Sequence, residues 1–157
     1  MELSGNIAYM STSLTQLGRK AEPAKSPDLA HIECVANTLT RPFTSRFIIP
    51  EFTSVCPVTG QPDFAGIVID YVPAAWLIES KSLKLFIASF RQYAAFHEDV
   101  TGLIGERLFK AAAPCWIRVK TFFNHRGGIA IDCTFTAGQF PSRDCEFPVA
   151  RFADIRK

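Results

Sequence analysis

No apolar run in this chain of 157 residues approaches the ~20 residues that a membrane span needs. Residues 1–28 also lack the apolar stretch of a secretory signal. The chain therefore reads as cytoplasmic. No two cysteines are spaced C-x-x-C, and the five present, Cys34, Cys56, Cys115, Cys133 and Cys145, are odd in number. In a cytosolic protein this argues for free thiols and against a disulfide framework. The histidines, His31, His97 and His125, have no tight ligand spacing with those cysteines, so no metal site is expected. Charge of one sign is missing too. Seventeen basic residues face fifteen acidic ones, the net charge is +2, and no long basic run offers a footing for nucleic acid. Neither G-x-G-x-x-G nor G-x-x-x-x-G-K-[ST] occurs. If a nicotinamide nucleotide binds, a Rossmann unit does not hold it.

What remains is a chain that is 48% apolar, enough for one domain with a real core. Residues 1–28 are polar and rich in Ser, Lys, Pro and Ala. They read as an arm on the surface or reaching to a neighbour, with Leu14 and Leu17 as anchors. Residues 29–157 form a single domain. Residues 31–49 look extended, with only part of a period-two pattern. Residues 52–64 read as a loop, because Pro57, Gly60 and Pro62 prevent a helix and oppose a long strand. The run 65–72 is rich in β-branched residues and predicts a strand that Pro73 ends. Leu83, Phe86, Ile87 and Phe90 share one helical face, and Ser80 or Ser82 can cap that helix. A second helix is expected from about Glu98 to Ala112, with Pro114 as its stop. Gly102 and Gly105 weigh against it. Residues 116–123 and 129–135 predict a hairpin around the turn Asn124–Gly128, and the last twenty or so residues read as irregular.

The order strand, strand, helix, helix, strand, strand predicts an α+β layer. Its simple hairpins give a four-stranded antiparallel sheet with two helices on one face, ββααββ. Such a sheet leaves two edges to protect and can leave an apolar second face. Joining sheets between subunits into a closed barrel is one solution, so a homo-oligomer with active sites between subunits is expected.

Four stretches can carry chemistry. In the loop 52–64, a folded-back chain brings the Asp63 carboxylate toward the Cys56 thiol, a nucleophile and a proton donor. A buried structural cysteine explains the loop equally well. The stretch Ile78-Glu79-Ser80-Lys81-Ser82-Leu83-Lys84 puts two serines and two lysines at a helix start, where phosphates can dock. A capped, solvated helix start fits it too. In His97-Glu98, the carboxylate can take two parallel N–H bonds from a guanine-like ring edge. The alternative is a helix-start acid answering the dipole, with His97 structural. Arg126-Gly127-Gly128 offers a guanidinium beside bare backbone, or only a turn that demands positive φ.

Together these stretches are distinctive. Glu51-Phe52-Thr53-Ser54-Val55-Cys56-Pro57, Thr59-Gly60-Gln61-Pro62-Asp63-Phe64, Glu79-Ser80-Lys81-Ser82-Leu83-Lys84-Leu85-Phe86, Phe96-His97-Glu98-Asp99 and Arg126-Gly127-Gly128 resemble the NADPH-dependent 7-cyano-7-deazaguanine reductases. These are the nitrile reductases of queuosine biosynthesis, which supplies a modified tRNA base. The match runs through residues 51–135, and Leu14-Thr15-Gln16-Leu17-Gly18 resembles an arm of that family. The length is similar to that of its single-module form.

The resemblance implies the tunnelling fold, a homo-oligomer of stacked rings, and four-electron reduction of a nitrile to a primary amine by two NADPH. It implies Cys56 as the nucleophile that forms a covalent thioimidate and Asp63 as the proton donor. Asp63 and His97 are the candidates for helping the thiol ionise. It implies Glu98 as the anchor of the deazaguanine, with His97, Ile78, Glu79 and Ser80 lining the same pocket. It places the NADPH phosphates on Ser80, Lys81, Lys84, Arg126 and Gly127. The implied partners are a small deazapurine nitrile and further copies of the chain, with no direct nucleic acid, no membrane and no metal. The same fold hosts GTP cyclohydrolase, a zinc hydrolase that needs a Cys-x-x-His-type pair, where this chain has Thr59. A purine- or tRNA-binding module without catalysis leaves Cys56 and Asp63 without a purpose.

Overall fold

The computed structural model describes residues 14–141. Arm residues 1–13, Cys145 and most of the last twenty or so residues, expected to be irregular, lie outside the described residues. The chain runs β1 (Cys34–Ala36), β2 (Ser45–Val55), β3 (Pro62–Val72), β4 (Trp76–Ile78), α1 (Ser80–Ala88), α2 (His97–Ala112), β5 (Trp116–Phe123) and β6 (Asp132–Gly138). Short 3-10 turns at Pro27–Leu29 and Ser89–Gln92 precede β1 and follow α1. The main sheet has the order β2-β3-β5-β6 with every neighbour antiparallel, and the β3–β5 connection carries both helices. This is the expected α+β layer. A small second sheet, β1 against β4, was not expected, since three residues per strand are too few to show a period.

Both helices pack on one sheet face. The buried residues Ile67, Ile69 and Tyr71 of β3 and Ile117, Val119 and Phe123 of β5 meet Leu83, Phe86 and Ile87 of α1 and Val100, Ile104 and Leu108 of α2. Phe52, Phe86, Phe90 and Tyr93 form a chain of ring contacts with centroids 5.4–5.7 Å apart. The opposite face is not simply apolar. At its centre Asp70 is fully buried and takes Arg46 from β2 and Arg118 from β5, the latter at 2.8 Å. Burying a carboxylate needs such partners, and the register Arg46–Asp70–Arg118 across three strands supplies them.

Several boundaries move from their expected places. The stretch 52–64 is mostly strand, and only residues 56–61 turn. Pro62 stands at the first position of its strand, where its missing N–H costs least. Pro50 sits at a register shift in β2 between Ile49 and Phe52, the bulge position that strands allow it. The return strand of the hairpin starts at Asp132, not Ile129, because Gly127 and Gly128 at φ +61° and +81° lengthen the turn. The cap of α1 is Glu79, whose carboxylate accepts from the N–H groups of Lys81 and Ser82, so neither serine has that task. Gly105 fits inside α2 because Phe135 of β6 packs directly over it.

The arm is held by polar bonds and not by Leu17, which is 52% exposed. Glu33 accepts from Thr15 N–H and Oγ1 at 2.8 and 2.6 Å and from Gln16 N–H at 3.1 Å. Burial alone would raise the Glu33 carboxyl, but these donors hold it below its ordinary value.

Candidate active site

The turn between β2 and β3 closes on itself. Cys56 N–H donates to Gln61 O at 2.8 Å, Gly60 N–H donates to Cys56 O at 3.0 Å, and Gly60 takes φ +69°. That conformation is strained for a residue with a side chain and open to glycine. The turn leaves Cys56 buried one residue past the end of β2. The Thr59 hydroxyl first, then the N–H groups of Thr59 and Val58, favour its ionised form. Together, with a smaller pull from Arg126, they outweigh burial and bring the thiol down to about 7. Cys34 shows the contrast. It sits against Ala111 O at 3.6 Å, and burial pushes its thiol up.

Asp63 lies at the second position of β3, opposite Ser54 in register, on the side that faces α2. Its carboxylate is gripped from two sides. Arg126 Nη1 from the β5–β6 turn donates to Oδ1 at 2.8 Å, and His97 Nε2 at the start of α2 is 3.1 Å from Oδ2. The latter two atoms are at ion-pair distance without an aligned hydrogen bond. The His97 ring stacks on Phe123 with centroids 3.7 Å apart and planes 5° apart, which fixes its orientation. His97 Nδ1 and Ser54 Oγ are buried and have no hydrogen-bond partner among the described residues. Buried polar atoms of this kind are normally satisfied, so here they mark a place for a ligand or water.

The expected site therefore divides. Asp63, His97 and Arg126 come together, Cys56 lies in the turn two residues past Ser54, the register partner of Asp63, and Gly127 follows Arg126 in the β5–β6 turn at φ +61°. Glu98 follows His97 on α2 but is exposed, free of the Asp63 contact. Ile78, Glu79 and Ser80 stand elsewhere, at the β4–α1 junction. Ile78 N–H donates to Tyr71 Oη, Glu79 N–H donates to Glu33 O, and the Glu79 side chain caps α1. Lys81 turns to the arm, where its ammonium meets the carbonyls of Gln16 and Arg19. The Cys56 turn lies at the other end of α1, where Val55 bridges Ala94. The helix alone spans ~14 Å at 1.5 Å per residue, and no hydrogen bond or ion pair among the described residues joins the Ile78–Ser80 junction to the Cys56 turn.

Ser80 and Lys84 line a groove of about 360 Å³ between β2 and α1, with Phe47, Ile49, Leu83 and Ile87 among its apolar residues. Arg91, at its end, was not expected there. The same arginine lines a hollow with Gly60 and Pro62, beside the Cys56 turn. Thr59 and Phe123 were also missed. The role of Thr59 depends on how the turn closes, and that of Phe123 on the hairpin register that sets it beneath His97. Arg91 follows Ser80 and Lys84 by eleven and seven positions, a helical interval that could have been read from the sequence. No group of three or more His, Cys, Asp or Glu residues placed to hold a metal occurs among the described residues. No helix there is long and apolar enough to cross a membrane.

Comparison with known proteins gives consistent results. Residues 62–141 match the family model described as QueF-like protein. A 7-cyano-7-deazaguanine reductase, NADPH-dependent, from Maricaulis maris is 52% identical over 129 residues, 82% of this chain and 84% of that protein. One of the same name from Brucella anthropi is 53% identical over 131 residues, 83% of this chain and 84% of that protein. The solved structure of an archaeosine synthase QueF-Like in the apo form has the same fold. Its TM-score is 0.58 at 20% identity, covering 62% of this chain and 96% of that one.

Proposed function

The chain belongs to the family of NADPH-dependent 7-cyano-7-deazaguanine reductases, and from that premise we propose that it reduces the nitrile of 7-cyano-7-deazaguanine to the aminomethyl group through a covalent bond to Cys56. The observation that carries this reading is the lowered Cys56 thiol, about 7, beside an Asp63 that His97 and Arg126 hold in place. A nitrile carbon is electrophilic, and a thiolate is the side chain best suited to attack it near neutral pH.

Attack forms the carbon–sulfur bond and pushes an electron pair onto nitrogen, where Asp63 delivers a proton to give the thioimidate. His97, against the other carboxylate oxygen, is placed to replace that proton. Bound NADPH supplies hydride, and the four-electron change from nitrile to amine calls for two equivalents. After the first reduction the carbon is a thiohemiaminal. Expulsion of the Cys56 thiolate gives an imine, and the second reduction gives the amine. Covalent capture keeps the intermediate from leaving between the two reductions.

The groove between β2 and α1 fits the cofactor's chemistry. It offers a hydroxyl and two cations, from Ser80, Lys84 and Arg91, over an apolar floor, matching phosphates and a flat ring system. Glu98, exposed at the start of α2, would take the ring N–H and amino group of the deazaguanine. The pathway supported by the family is queuosine biosynthesis in tRNA.

No hydrogen bond or ion pair joins the Ile78–Ser80 junction to the Cys56 turn among the described residues, and we infer that the junction serves the Cys56 of a neighbouring copy. A neighbour supplies it when sheets join at their edges into a barrel, and the free edges of β2 and β6 are the surfaces for that joining. The test of the reading is intact-mass spectrometry after mixing with 7-cyano-7-deazaguanine in the absence of NADPH. The expected result is one covalent adduct, lost in Cys56→Ala. No adduct with the unaltered chain, or one that persists in the variant, would overturn the mechanism.

A further inference from the structure

Beyond His97, the buried face of α2 and the buried face of β5 are apolar except at one hydroxyl each, Thr101 and Thr121, and the two meet. We propose that Thr101 and Thr121 are positioning residues, whose paired hydroxyls tie the first turn of α2 to β5 and hold the His97 imidazole against Asp63. This rests on Asp63 and His97 acting in the reaction proposed above.

Both threonines are buried, Thr121 completely. Thr101 Oγ1 donates to the His97 carbonyl at 2.8 Å and lies 2.7 Å from Thr121 Oγ1. A hydroxyl has a single proton, and a carbonyl can only accept. The Thr101 proton is committed to His97, so Thr121 is the donor in the second bond. The chain of bonds therefore runs from β5 through two hydroxyls to the backbone of His97. A second contact runs beside it. Phe123, two residues on from Thr121, carries the His97 ring with centroids 3.7 Å apart and planes 5° apart. His97 and Thr101 are about one helical turn apart, a rise of ~6 Å. Thr121 and Phe123 are ~7 Å apart along their strand. The two spacings match, so helix and strand are fastened at two points. One contact fixes the His97 ring and the other fixes its backbone.

The start of α2 is where such an anchor is wanted. Its N-cap, Phe96, makes no side-chain cap bond and is exposed, whereas the Glu79 carboxylate caps α1. A helix end without a cap frays, and His97 is the first residue of this one. His97 Nε2 stands 3.1 Å from Asp63 Oδ2. A misplacement of ~1 Å at a reacting centre can cost about a hundredfold in rate, so loosening this turn reaches the chemistry directly. Packing alone does not call for two hydroxyls here. A buried hydrogen-bonded pair replaced by apolar groups of the same shape is nearly neutral in stability. Valine matches the shape of threonine and lacks only the directional bond. That bond is what aligns helix with strand at the level of His97.

The direction of the bonds selects the variant. Thr121→Val removes the donor on β5 but leaves the Thr101 proton on the His97 carbonyl, so no buried donor is stranded. Its fold is checked by circular dichroism and chemical denaturation. NMR on histidine-labelled protein reads the stack directly, because the Phe123 ring current shifts the His97 ring protons upfield. Those signals are identified by their absence in His97→Gln. In Thr121→Val they are expected to move toward unstacked positions, and nitrile-dependent NADPH oxidation is expected to fall about ten- to a hundredfold. Thr121→Ser keeps the donor and is expected to restore both. Unchanged ring signals in Thr121→Val would overturn the proposal. So would shifted signals with full turnover, or Thr121→Ser behaving like Thr121→Val. Thr121→Ala, read in the same way, takes the place of the valine variant if that one loses the fold. The ring signals need neither nitrile nor NADPH. A chain without nitrile turnover whose His97 signals still depend on Thr121 would sink the reductase reading and leave the anchor of His97 standing.

Discussion

At the scale of single residues the proposed site holds one buried carboxylate between two partners. Arg126 and His97 flank Asp63, and Phe123 fixes the plane of His97. If Asp63 is the proton donor and not the base, its removal should separate capture from reduction. Asp63→Asn is expected to lower kcat by about 10²–10⁴, the usual worth of a positioned acid, while thiolate formation in the resting enzyme persists. Steady-state oxidation of NADPH measures the first, and the pH profile of Cys56 alkylation measures the second. Full turnover in Asp63→Asn would remove Asp63 from the mechanism. The fold-back of the chain between Cys56 and Asp63 was legible in the turn formers, and β2–β3 pairing sets Asp63 opposite Ser54, two residues before Cys56. The partners of Asp63 were not legible. Arg126 is sixty-three positions from Asp63 in the chain, and only the hairpin brings it back.

At the scale of elements the local rules were followed wherever the pattern was long, and were overridden where a tertiary contact was stronger. The stretch 52–64 read as a loop because proline and glycine dominate its centre. In the fold, Phe52 and Ser54 are fully buried and Asp63 nearly so, and pairing with β3 extends strand through both flanks. The strand propensity of a short flank is set by what it packs on, which a single sequence does not carry. Gly105 shows the reverse. Helix propensity counts against it, yet a Cβ there would come within 2.1 Å of the Phe135 ring. The glycine is the contact between α2 and the edge strand β6. Gly105→Ala, which improves helix propensity, is therefore expected to destabilise the protein by about 1–3 kcal/mol, the typical cost of overpacking. Chemical denaturation measures this. Adding Phe135→Leu should recover part of the loss, since the clash is with the ring, and a Gly105→Ala variant as stable as its parent would refute the close packing.

At the scale of the whole molecule the residues of the proposed site fall into two groups. Cys56, Asp63 and His97 belong to one, and Ile78–Ser80, at the start of α1, to the other. Two sheet edges, along β2 and β6, carry no further strand among the described residues, and the sheet face that holds Asp70 with Arg46 and Arg118 lies opposite the helices. If edge pairing brings the Ser80 end of one copy to the Cys56 turn of another, two inactive variants must repair each other. Cys56→Ala lacks the nucleophile. Ser80→Phe fills an exposed position of the junction and groove without touching the core. Each is expected to be inactive alone. Mixed one to one through co-expression, a quarter of the shared sites pair an intact Cys56 with an intact Ser80, so about a quarter of normal nitrile-dependent NADPH oxidation should return. Light scattering on the same samples checks that the mixed assembly has the size of the unmixed one. A single chain holding its own complete site would give no recovery at any mixing ratio. The same null result in an assembly of unchanged size would place Ser80 and Cys56 in one copy's pocket and remove the reason for a shared site.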